Sequence, residues 1–287
     1  MTFHELIQAS IKTLSKQHPD TAQFEVNHLI KYCFKLSQAH LLLQLNEVIN
    51  DKLGLEQFEM AIKDRLAGKP VDLIIGSSEF CGNTYFVEKG VLIPRSETEL
   101  LVQVAKTEIK KYFANNSFTC LELGFGSGVI SIELSLAYPT VNFFAWDISE
   151  SAFKLAKKNA KCHNVSNIKF KQEDFFNSNW KENISLDSPF LFVSNPPYIA
   201  TKELSILDKS VKNYDPITAL DGGLDGLDYY RKCITILANY KCIMIFEIGY
   251  NQSEDLIEFL QAFKQYKYFF KVDVSNVKRI LVISSCD

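Results

Sequence analysis

From about Pro94 to the end of the chain, short apolar runs alternate with longer segments in which apolar residues recur every three or four positions. The runs CLEL, FFAW, FLFV and CIMIF have the length and composition of buried strands, and the segments between them are typical of amphipathic helices. Strands that alternate with helices form a mostly parallel sheet covered on both faces. The sequence therefore predicts a doubly wound α/β domain over residues 94–287.

The part of the chain before this domain has a different pattern. Apolar residues at helical spacing, such as Phe3, Leu6 and Ile7, continue through residues 1–75 and predict a small helical bundle. Residues 76–93 change toward period two around the turn sequence CGN, which predicts a β-hairpin linker between the two domains.

Composition excludes several classes of protein. The 31 basic and 34 acidic residues give a net charge of -3, which argues against direct nucleic-acid binding over a large surface. The apolar runs are too short to cross a membrane, and the N-terminus lacks the pattern of a signal peptide. The seven scattered cysteines, without a C-x-x-C pair, predict free thiols, no metal site and a cytoplasmic protein.

A glycine-rich turn follows the first strand of the α/β domain, in LELGFGSGVISIEL. Gly124, Gly126 and Gly128, with Phe125 and Ser127 between them, permit close approach of a ligand to backbone N–H groups at a helix N-terminus. Packing alone is the competing explanation. The spacing is G-x-G-x-G rather than the G-x-G-x-x-G of dinucleotide folds, and Glu122 just before it favours a cationic ligand without phosphates, such as S-adenosylmethionine.

Two acidic residues follow the next two strands. Asp147 lies where a carboxylate accepts the ribose hydroxyls of a nucleoside, although an aspartate here is equally natural as a helix N-cap. Asp174 is placed to accept from an adenine amino group while Phe175 or Phe176 stacks on the ring. The alternative for this group is a loop aspartate beside two core phenylalanines.

The strand FLFVS ends in the sequence Asn195-Pro196-Pro197-Tyr198. Two prolines make a rigid turn without N–H donors, and simple strand termination is the competing explanation. Termination alone requires neither the asparagine nor the tyrosine. A planar amide or amino group in a dry site needs acceptors for both N–H groups, which the side-chain oxygen of Asn195 and the carbonyl of Pro196 supply.

These groups predict methyl transfer to a planar nitrogen. Tyr198 packs on the planar group, and the two acceptors stabilise positive charge that grows on the nitrogen. No general base is obligatory, because the proton can leave after the methyl group arrives.

Taken in order, these motifs resemble class I S-adenosylmethionine-dependent methyltransferases, and three longer segments resemble one family within them. GVLIPRSETELLV, NPPYIA and VKNYDPITALDGGLDGLDYYRKC are similar to the motifs of the HemK/PrmC family, the protein-(glutamine-N5) methyltransferases of peptide chain release factors. The resemblance covers nearly the whole chain. It implies that the substrate is the glutamine of the Gly-Gly-Gln motif of class 1 release factors, and that the N-terminal domain recognises the protein substrate.

The resemblance also implies roles for individual residues. The glycine loop, Asp147, Asp174, Phe175 and Asn195 would bind the cofactor, and Asn195 to Tyr198 would hold the glutamine amide. A third set of residues would line the site or its closing segment: Arg95, Glu97, Thr98 and Glu99. The chain departs from the family pattern at Phe125, Ser96 and Asp215, and Phe125 is expected to alter the cofactor pocket.

Four other functions compete with this one. A glutamine methyltransferase of a large-subunit ribosomal protein shares the core motifs, and the helical N-terminal domain favours the release-factor branch. A methyltransferase of nucleic-acid bases also uses N-P-P-Y, but the charge balance shows no basic face. A nucleotide-dependent oxidoreductase is disfavoured by the glycine spacing, and a non-catalytic binding module by the intact motifs. The chain is expected to be a monomer.

Overall fold

The structure is a computed structural model that describes residues 1–113, 118–183 and 188–285. The chain divides into two compact units, residues 1–77 and 78–287. Of the cysteines, Cys286 lies outside the described residues, and the six that the structure describes form no disulfide bond with one another. Within the described residues, no helix is both long enough and apolar enough to span a membrane.

The first unit is helical. Its first helix starts with a capping box, in which Glu5 N donates to Thr2 Oγ1 at 3.2 Å and Thr2 N donates to a carboxylate oxygen of Glu5 at 2.8 Å. Inside the bundle Arg65 donates to buried Glu25 at 2.7 Å. The helices are α1 Phe3–Leu14, α2 Ala22–Cys33, α3 Gln38–Leu43, α4 Lys52–Leu66 and α5 Val71–Ile75.

The second unit begins with a hairpin of strands β1 Ser77–Phe80 and β2 Asn83–Phe86, which turn at Cys81 and Gly82. All of the hairpin except Ser77 belongs to this unit. Tyr85 is fully buried in it and donates to Glu133 at 2.7 Å. The helices that follow are α6 Ser96–Tyr112, α7 Val129–Ala137, α8 Glu150–Cys162, α9 Lys209–Tyr214, α10 Asp228–Leu237 and α11 Ser253–Leu260.

A seven-stranded sheet in the order β5-β4-β3-β6-β7-β9-β8 forms the centre of the second unit. Strands β3 to β7 are parallel, and β9 pairs antiparallel with both β7 and β8. The α/β prediction is confirmed. The strands are β3 Thr119–Leu123, β4 Asn142–Asp147, β5 Ile168–Gln172, β6 Phe190–Ser194, β7 Cys242–Glu247, β8 Lys267–Val272 and β9 Lys278–Ser284.

Both faces of the sheet are buried. Successive residues of β6 point to opposite sides, so Val193 packs in one core cluster with Leu101 and Ile132, while Phe192 packs in the other with Tyr230. Strand order reverses between β3 and β6. In open α/β sheets, ligands bind beyond the carboxyl ends of the strands at such a switch point.

Candidate active site

A cavity of about 230 Å³, the first cavity, opens beyond the carboxyl ends of β3, β4, β5 and β6. The sequence-predicted residues that line it are Gly124, Gly126, Asp147, Asp174, Phe175, Asn195, Pro196 and Pro197. Residues far apart in the chain therefore meet at the switch point of the sheet.

The glycine loop connects β3 to α7 and has positive φ at Gly124, Gly126 and Gly128. A Cβ on Gly128 would lie 3.0 Å from the Cβ of Ala156 on α8, so this glycine permits close helix packing. A Cβ on Gly124 would instead project into open space, with its nearest neighbour the backbone oxygen of Asn195 at 3.9 Å. The first part of the loop thus leaves room for a ligand, and its end is shaped by packing.

Phe125 and Ser127 do not line the first cavity. The side chain of Phe125 is buried in a small apolar cluster with Val91 and Leu155, and its ring contacts that of Phe170 edge-on at 5.0 Å between centroids. The structure thus gives the Phe125 side chain a packing position beneath the loop, outside the lining of the first cavity. A residue of this size is accommodated there because the neighbours of the ring are apolar.

Asp147 ends β4 and holds the glycine loop. Its carboxylate accepts from Gly126 N at 2.9 Å and from Ser149 N at 2.9 Å. Burial raises the pKa of Asp147 above its ordinary value, although these backbone donors oppose the shift. The side chain that caps α8 is Ser149, which accepts from Ala152 N, so Asp147 is not the N-cap of this helix.

The two phenylalanines that follow β5, Phe175 and Phe176, differ in how much of each ring is exposed. Asp174 accepts from Phe176 N at 2.9 Å and from Asn177 Nδ2 at 2.6 Å, and so caps the short turn that carries both phenylalanines. Phe175 is 1% exposed, and its ring packs against Trp180 at 5.4 Å between centroids. Phe176 is only partly buried, which makes it the better stacking surface of the pair.

Sequence reasoning missed Tyr229 and Lys232, which also line the first cavity. They lie three positions apart on α10, a spacing that places them on one face of a helix. That helical spacing was readable in DYYRKC, but which face meets the cavity depends on the packing of α10 against the sheet.

A second cavity, of about 320 Å³, adjoins the first. Leu92, Asn195 and Ala219 line both, so Asn195 lies where the two cavities meet. The remaining residues of the second cavity include charged and aromatic side chains together with an apolar set: Arg95, Glu97, Tyr198, Ile199, Leu207, Val211, Leu220, Glu247 and Arg279.

The Asn-Pro-Pro-Tyr turn is held from both sides. Before it, Ser194 Oγ donates to the carbonyl oxygen of Leu123 at 2.8 Å, and after it, Gln252 Nε2 donates to the carbonyl oxygen of Tyr198 at 2.8 Å. Burial raises the pKa of the Tyr198 hydroxyl above its ordinary value, so this ring faces the second cavity as a neutral phenol. The turn is therefore fixed at both ends, and Asn195 within it lines both cavities.

The four residues predicted to line the site or its closing segment lie in different environments. Arg95 and Glu97 line the second cavity, whereas Thr98 is buried beside Asn195. Glu99 faces away and accepts from Cys81 N at 2.8 Å in the hairpin. Arg95 also pairs at 2.5 Å with buried Asp215, one of the positions that departs from the family pattern. Asp215 is shorter than the glutamate of the family pattern, and its carboxylate reaches Arg95.

Glu122 lies beneath the glycine loop and is 1% exposed. Its Oε2 accepts from the backbone N and the hydroxyl of Ser131, while Oε1 has no hydrogen-bond partner. Burial raises the pKa of Glu122 from 4.5 to about 7, against the lowering effect of Ser131. This carboxylate therefore supports the loop and does not reach the cavity.

Replacing Glu122 by glutamine is expected to change how stability depends on pH. Between pH 4.5 and 7 the folded protein keeps a proton that the unfolded chain releases, so the wild-type contribution is lost as pH rises. A glutamine cannot ionise. Relative to wild type, the unfolding free energy of Glu122→Gln should thus improve by about 2–3 kcal/mol from pH 5 to pH 8. Urea unfolding at both pH values measures this difference.

A matched control is Glu254→Gln, because the Glu254 side chain is 80% exposed on α11. Its unfolding curves should follow those of wild type at both pH values. Parallel pH dependences for Glu122→Gln and wild type would show that Glu122 is already ionised in the folded protein, and would contradict the prediction.

The donors and acceptors of the first cavity fit a cationic nucleoside. Carboxylates at the ends of β4 and β5, from Asp147, Glu173 and Asp174, face a site whose only basic side chain among the described lining residues is Lys232. Such a set accepts from hydroxyl, amino and ammonium groups and disfavours phosphates. S-adenosylmethionine has the required character, with an adenine, a ribose, an ammonium and a sulfonium.

Comparisons with known proteins agree with this architecture. A methyltransferase-domain model matches residues 114–219, and a PrmC N-terminal domain model matches residues 5–76. The release factor glutamine methyltransferase of Bacillus cereus is 33% identical over 91% of this chain and 91% of its own. That of Dictyoglomus turgidum is 38% identical over 77% of this chain and 75% of its own.

Among solved structures, the hMettl16 catalytic domain in complex with a MAT2A 3′UTR hairpin superposes with a TM-score of 0.56. It is 16% identical and covers 82% of each chain. At this level of sequence identity, the similarity shows a shared fold only.

A doubly wound sheet with a glycine loop at its switch point, together with the matched domain model, makes this chain a class I methyltransferase that uses S-adenosylmethionine. Sequence identity to the relatives extends over both units and narrows the assignment to one family. The chain belongs to the family of release factor glutamine methyltransferases.

Proposed function

We propose that the protein transfers a methyl group from S-adenosylmethionine to the side-chain amide nitrogen, N5, of the glutamine in the Gly-Gly-Gln motif of class 1 release factors. The observation that carries the proposal is the position of Asn195, which lines both cavities. A nitrogen held by this side chain is next to the first cavity while the rest of its substrate occupies the second. The names of the relatives, release factor glutamine methyltransferases, support a glutamine of a release factor as the substrate.

The residues of the Asn-Pro-Pro-Tyr turn orient the substrate amide. S-adenosylmethionine, when bound in the first cavity, supplies an electrophilic methyl group. The Asn195 side-chain oxygen and the Pro196 carbonyl accept from the two N–H groups of the substrate amide, and Tyr198 packs on the amide plane. Because these N–H groups become more acidic as the nitrogen acquires positive charge, both acceptors bind the transition state more strongly than the ground state.

The residues that line the first cavity support an assignment of cofactor contacts. Asp147 is assigned to the ribose hydroxyls, Asp174 to the adenine amino group, and Phe176 with Tyr229 to the adenine faces. The open space at Gly124 and Gly126 receives the methionine part. Phe125, Ser127 and Gly128 support the loop and make no side-chain contact with the ligand in this proposal.

The helical N-terminal domain, predicted from the sequence to span residues 1–75 ahead of the linker at 76–93, is assigned to recognition of the protein substrate. Large apolar side chains that are exposed on this unit support the assignment, among them Leu43 at 80% and Met60 at 69% exposure. Apolar side chains that cluster on a surface are typical of sites that bind another protein, and these residues are proposed to lie in such a patch. A monomeric state and a cytoplasmic location stay predictions from the sequence.

Leu43→Lys is expected to raise KM for a full-length release factor about fivefold, with kcat and S-adenosylmethionine affinity unchanged, because one apolar contact in an interface contributes on the order of 1 kcal/mol. Steady-state kinetics with a full-length factor and with a short Gly-Gly-Gln peptide measure the effect. The matched control is Leu136→Lys, since Leu136 is 43% exposed on α7 of the other unit. An equal rise in KM for the peptide would contradict a recognition role.

The substrate itself is tested by transfer of labelled methyl groups to three acceptors in parallel: a purified release factor, ribosomal proteins and duplex DNA. Label on the release factor alone is the expected result. Label confined to ribosomal protein or to DNA would keep the methyltransferase class and overturn the proposed substrate.

A further inference from the structure

A buried carboxylate lies beside Asn195 that neither the motifs nor the proposed chemistry uses. Glu247 ends β7, is 3% exposed and lines the second cavity. Its Oε2 accepts from Thr98 Oγ1 at 2.7 Å. Thr98 belongs to the first turn of α6 and is 4% exposed, so the contact is sheltered from water.

The same threonine oxygen accepts from Asn195 Nδ2 at 3.1 Å. A hydroxyl has a single proton, and an ionised carboxylate can only accept. Because Thr98 gives its proton to Glu247, its oxygen is left to accept, and the group of Asn195 that faces it must be the amide nitrogen. The charge at Glu247 therefore sets the direction of the whole chain of hydrogen bonds.

We propose that Glu247 is a positioning residue for methyl transfer, which acts through Thr98 to keep the nitrogen of the Asn195 amide inward and its oxygen toward the substrate. This inference rests on the proposed function and adds a residue to it. An inverted amide would direct N–H groups at the N–H groups of the substrate, so the acceptor role of Asn195 requires the orientation that Glu247 selects.

Protonation of Glu247 would release this control. A carboxylic acid can donate to Thr98 Oγ1, and the threonine hydroxyl is then free to donate to an inverted Asn195. Burial raises the pKa of Glu247 from 4.5 to about 7, and Glu97 on α6 acts in the same direction. Arg279 on β9 opposes the shift, as do hydrogen bonds from Thr98 and Asn195.

Two further charged or titratable groups line the same cavity, Arg95 before α6 and Tyr198 on the turn. The pKa of Tyr198 is raised above its ordinary value, so its phenol does not titrate near neutrality. Because the pKa of Glu247 is raised to about 7, kcat should fall as pH decreases through this value.

The kinetic test uses Glu247→Gln in the full chain with a release factor as substrate. Loss of a buried hydrogen bond to a charged group predicts a decrease in kcat of about 10- to 100-fold, with S-adenosylmethionine affinity within twofold of wild type. The acid limb of the kcat profile should disappear in the variant. Thr98→Val should behave similarly, and Thr98→Ser, which keeps the hydroxyl, should restore most of the activity.

A double-mutant cycle separates positioning from a merely structural role. In the Asn195→Ala background, Glu247→Gln should have almost no further effect, because the group it orients is gone. The same fold loss in both backgrounds would overturn the inference. Glu254→Gln, an exposed substitution, serves as the control for glutamate removal.

A substrate-free measurement keeps the inference testable even if the release factor is not methylated. In an NMR spectrum with ¹⁵N labelling, the side-chain amide of Asn195, identified by its absence from Asn195→Ala, should shift with pH near 7 in wild type and not in Glu247→Gln. No label on the release factor from wild type would defeat the proposed function alone. An Asn195 amide signal that is unaffected by Glu247→Gln would defeat this inference alone.

Discussion

Asn195→Ala is expected to decrease kcat by about 10²- to 10³-fold while S-adenosylmethionine affinity stays within a few-fold of wild type. The side-chain oxygen of Asn195 is an acceptor whose contact with the substrate amide strengthens as positive charge develops. Removing it also leaves Thr98 without its donor at 3.1 Å, but Thr98 keeps its bond to Glu247. The loss should therefore fall on the chemical step.

Single-turnover kinetics and calorimetric titration of the cofactor measure the two effects separately. Asn251→Ala is the matched control, because Asn251 is exposed and follows β7 outside both cavities. Its kcat should equal that of wild type. Turnover by Asn195→Ala at the wild-type rate would remove the assigned role of this side chain.

Gly222→Ala is expected to decrease kcat by about 10- to 100-fold through displacement of the Pro-Pro turn. A Cβ at this position would lie 2.8 Å from the carbonyl oxygens of Gly226 and Pro197 and 2.8 Å from Tyr198 Cα, all of them backbone atoms. Backbone cannot yield as the end of a long side chain can, so the turn must move. A displacement near 1 Å is enough to cost about 100-fold in rate when reacting groups need alignment.

The control for an added methyl group is Gly82→Ala. Gly82 has φ +78° and open space around its missing Cβ, so alanine there costs about 1–2 kcal/mol of backbone strain without touching the site. Stability is measured by urea unfolding, and turnover under conditions where each variant is folded. Wild-type turnover by Gly222→Ala would show that the position of Pro197 and Tyr198 is not critical.

The sequence was informative where chemistry depends on residues that are close in the chain. The glycine loop, Asp147 and the Asn-Pro-Pro-Tyr turn each follow an apolar strand, and the carboxyl ends of parallel strands meet at one edge of a sheet. Strand pattern alone therefore placed these residues together. The first cavity confirms that they meet, while their roles toward ligands stay proposals.

Helix α6 was missed although its signal is present. Leu101, Val102, Ala105 and Ile109 are buried at helical spacing in SETELLVQVAKTEIKKY, a pattern that predicts this helix. In the first unit, Phe24 and Leu42 follow the apolar pattern and yet are 66% and 59% exposed. Periodicity identifies the helix there, and only packing decides which apolar residues enter the core.

Other features depend on contacts between distant residues and were beyond sequence reasoning. Glu247 ends an apolar run like any polar residue at a strand terminus, and its partner Thr98 lies 149 positions earlier. The resemblance to the family assigned Phe125 to the cofactor site. In the structure its ring packs instead against Phe170 and Val91 in an apolar cluster beneath the loop. Only tertiary packing distinguishes these outcomes.

The atom that receives the methyl group is proposed to be the amide nitrogen of a glutamine. To locate it, the protein is incubated with labelled S-adenosylmethionine and a purified class 1 release factor, and the label is mapped by mass spectrometry of proteolytic fragments. A release factor with Gln→Ala in its Gly-Gly-Gln motif is run beside it. Label is expected on the glutamine side chain of that motif and none on the substituted factor. Label at another residue, or equal labelling of both factors, would contradict it.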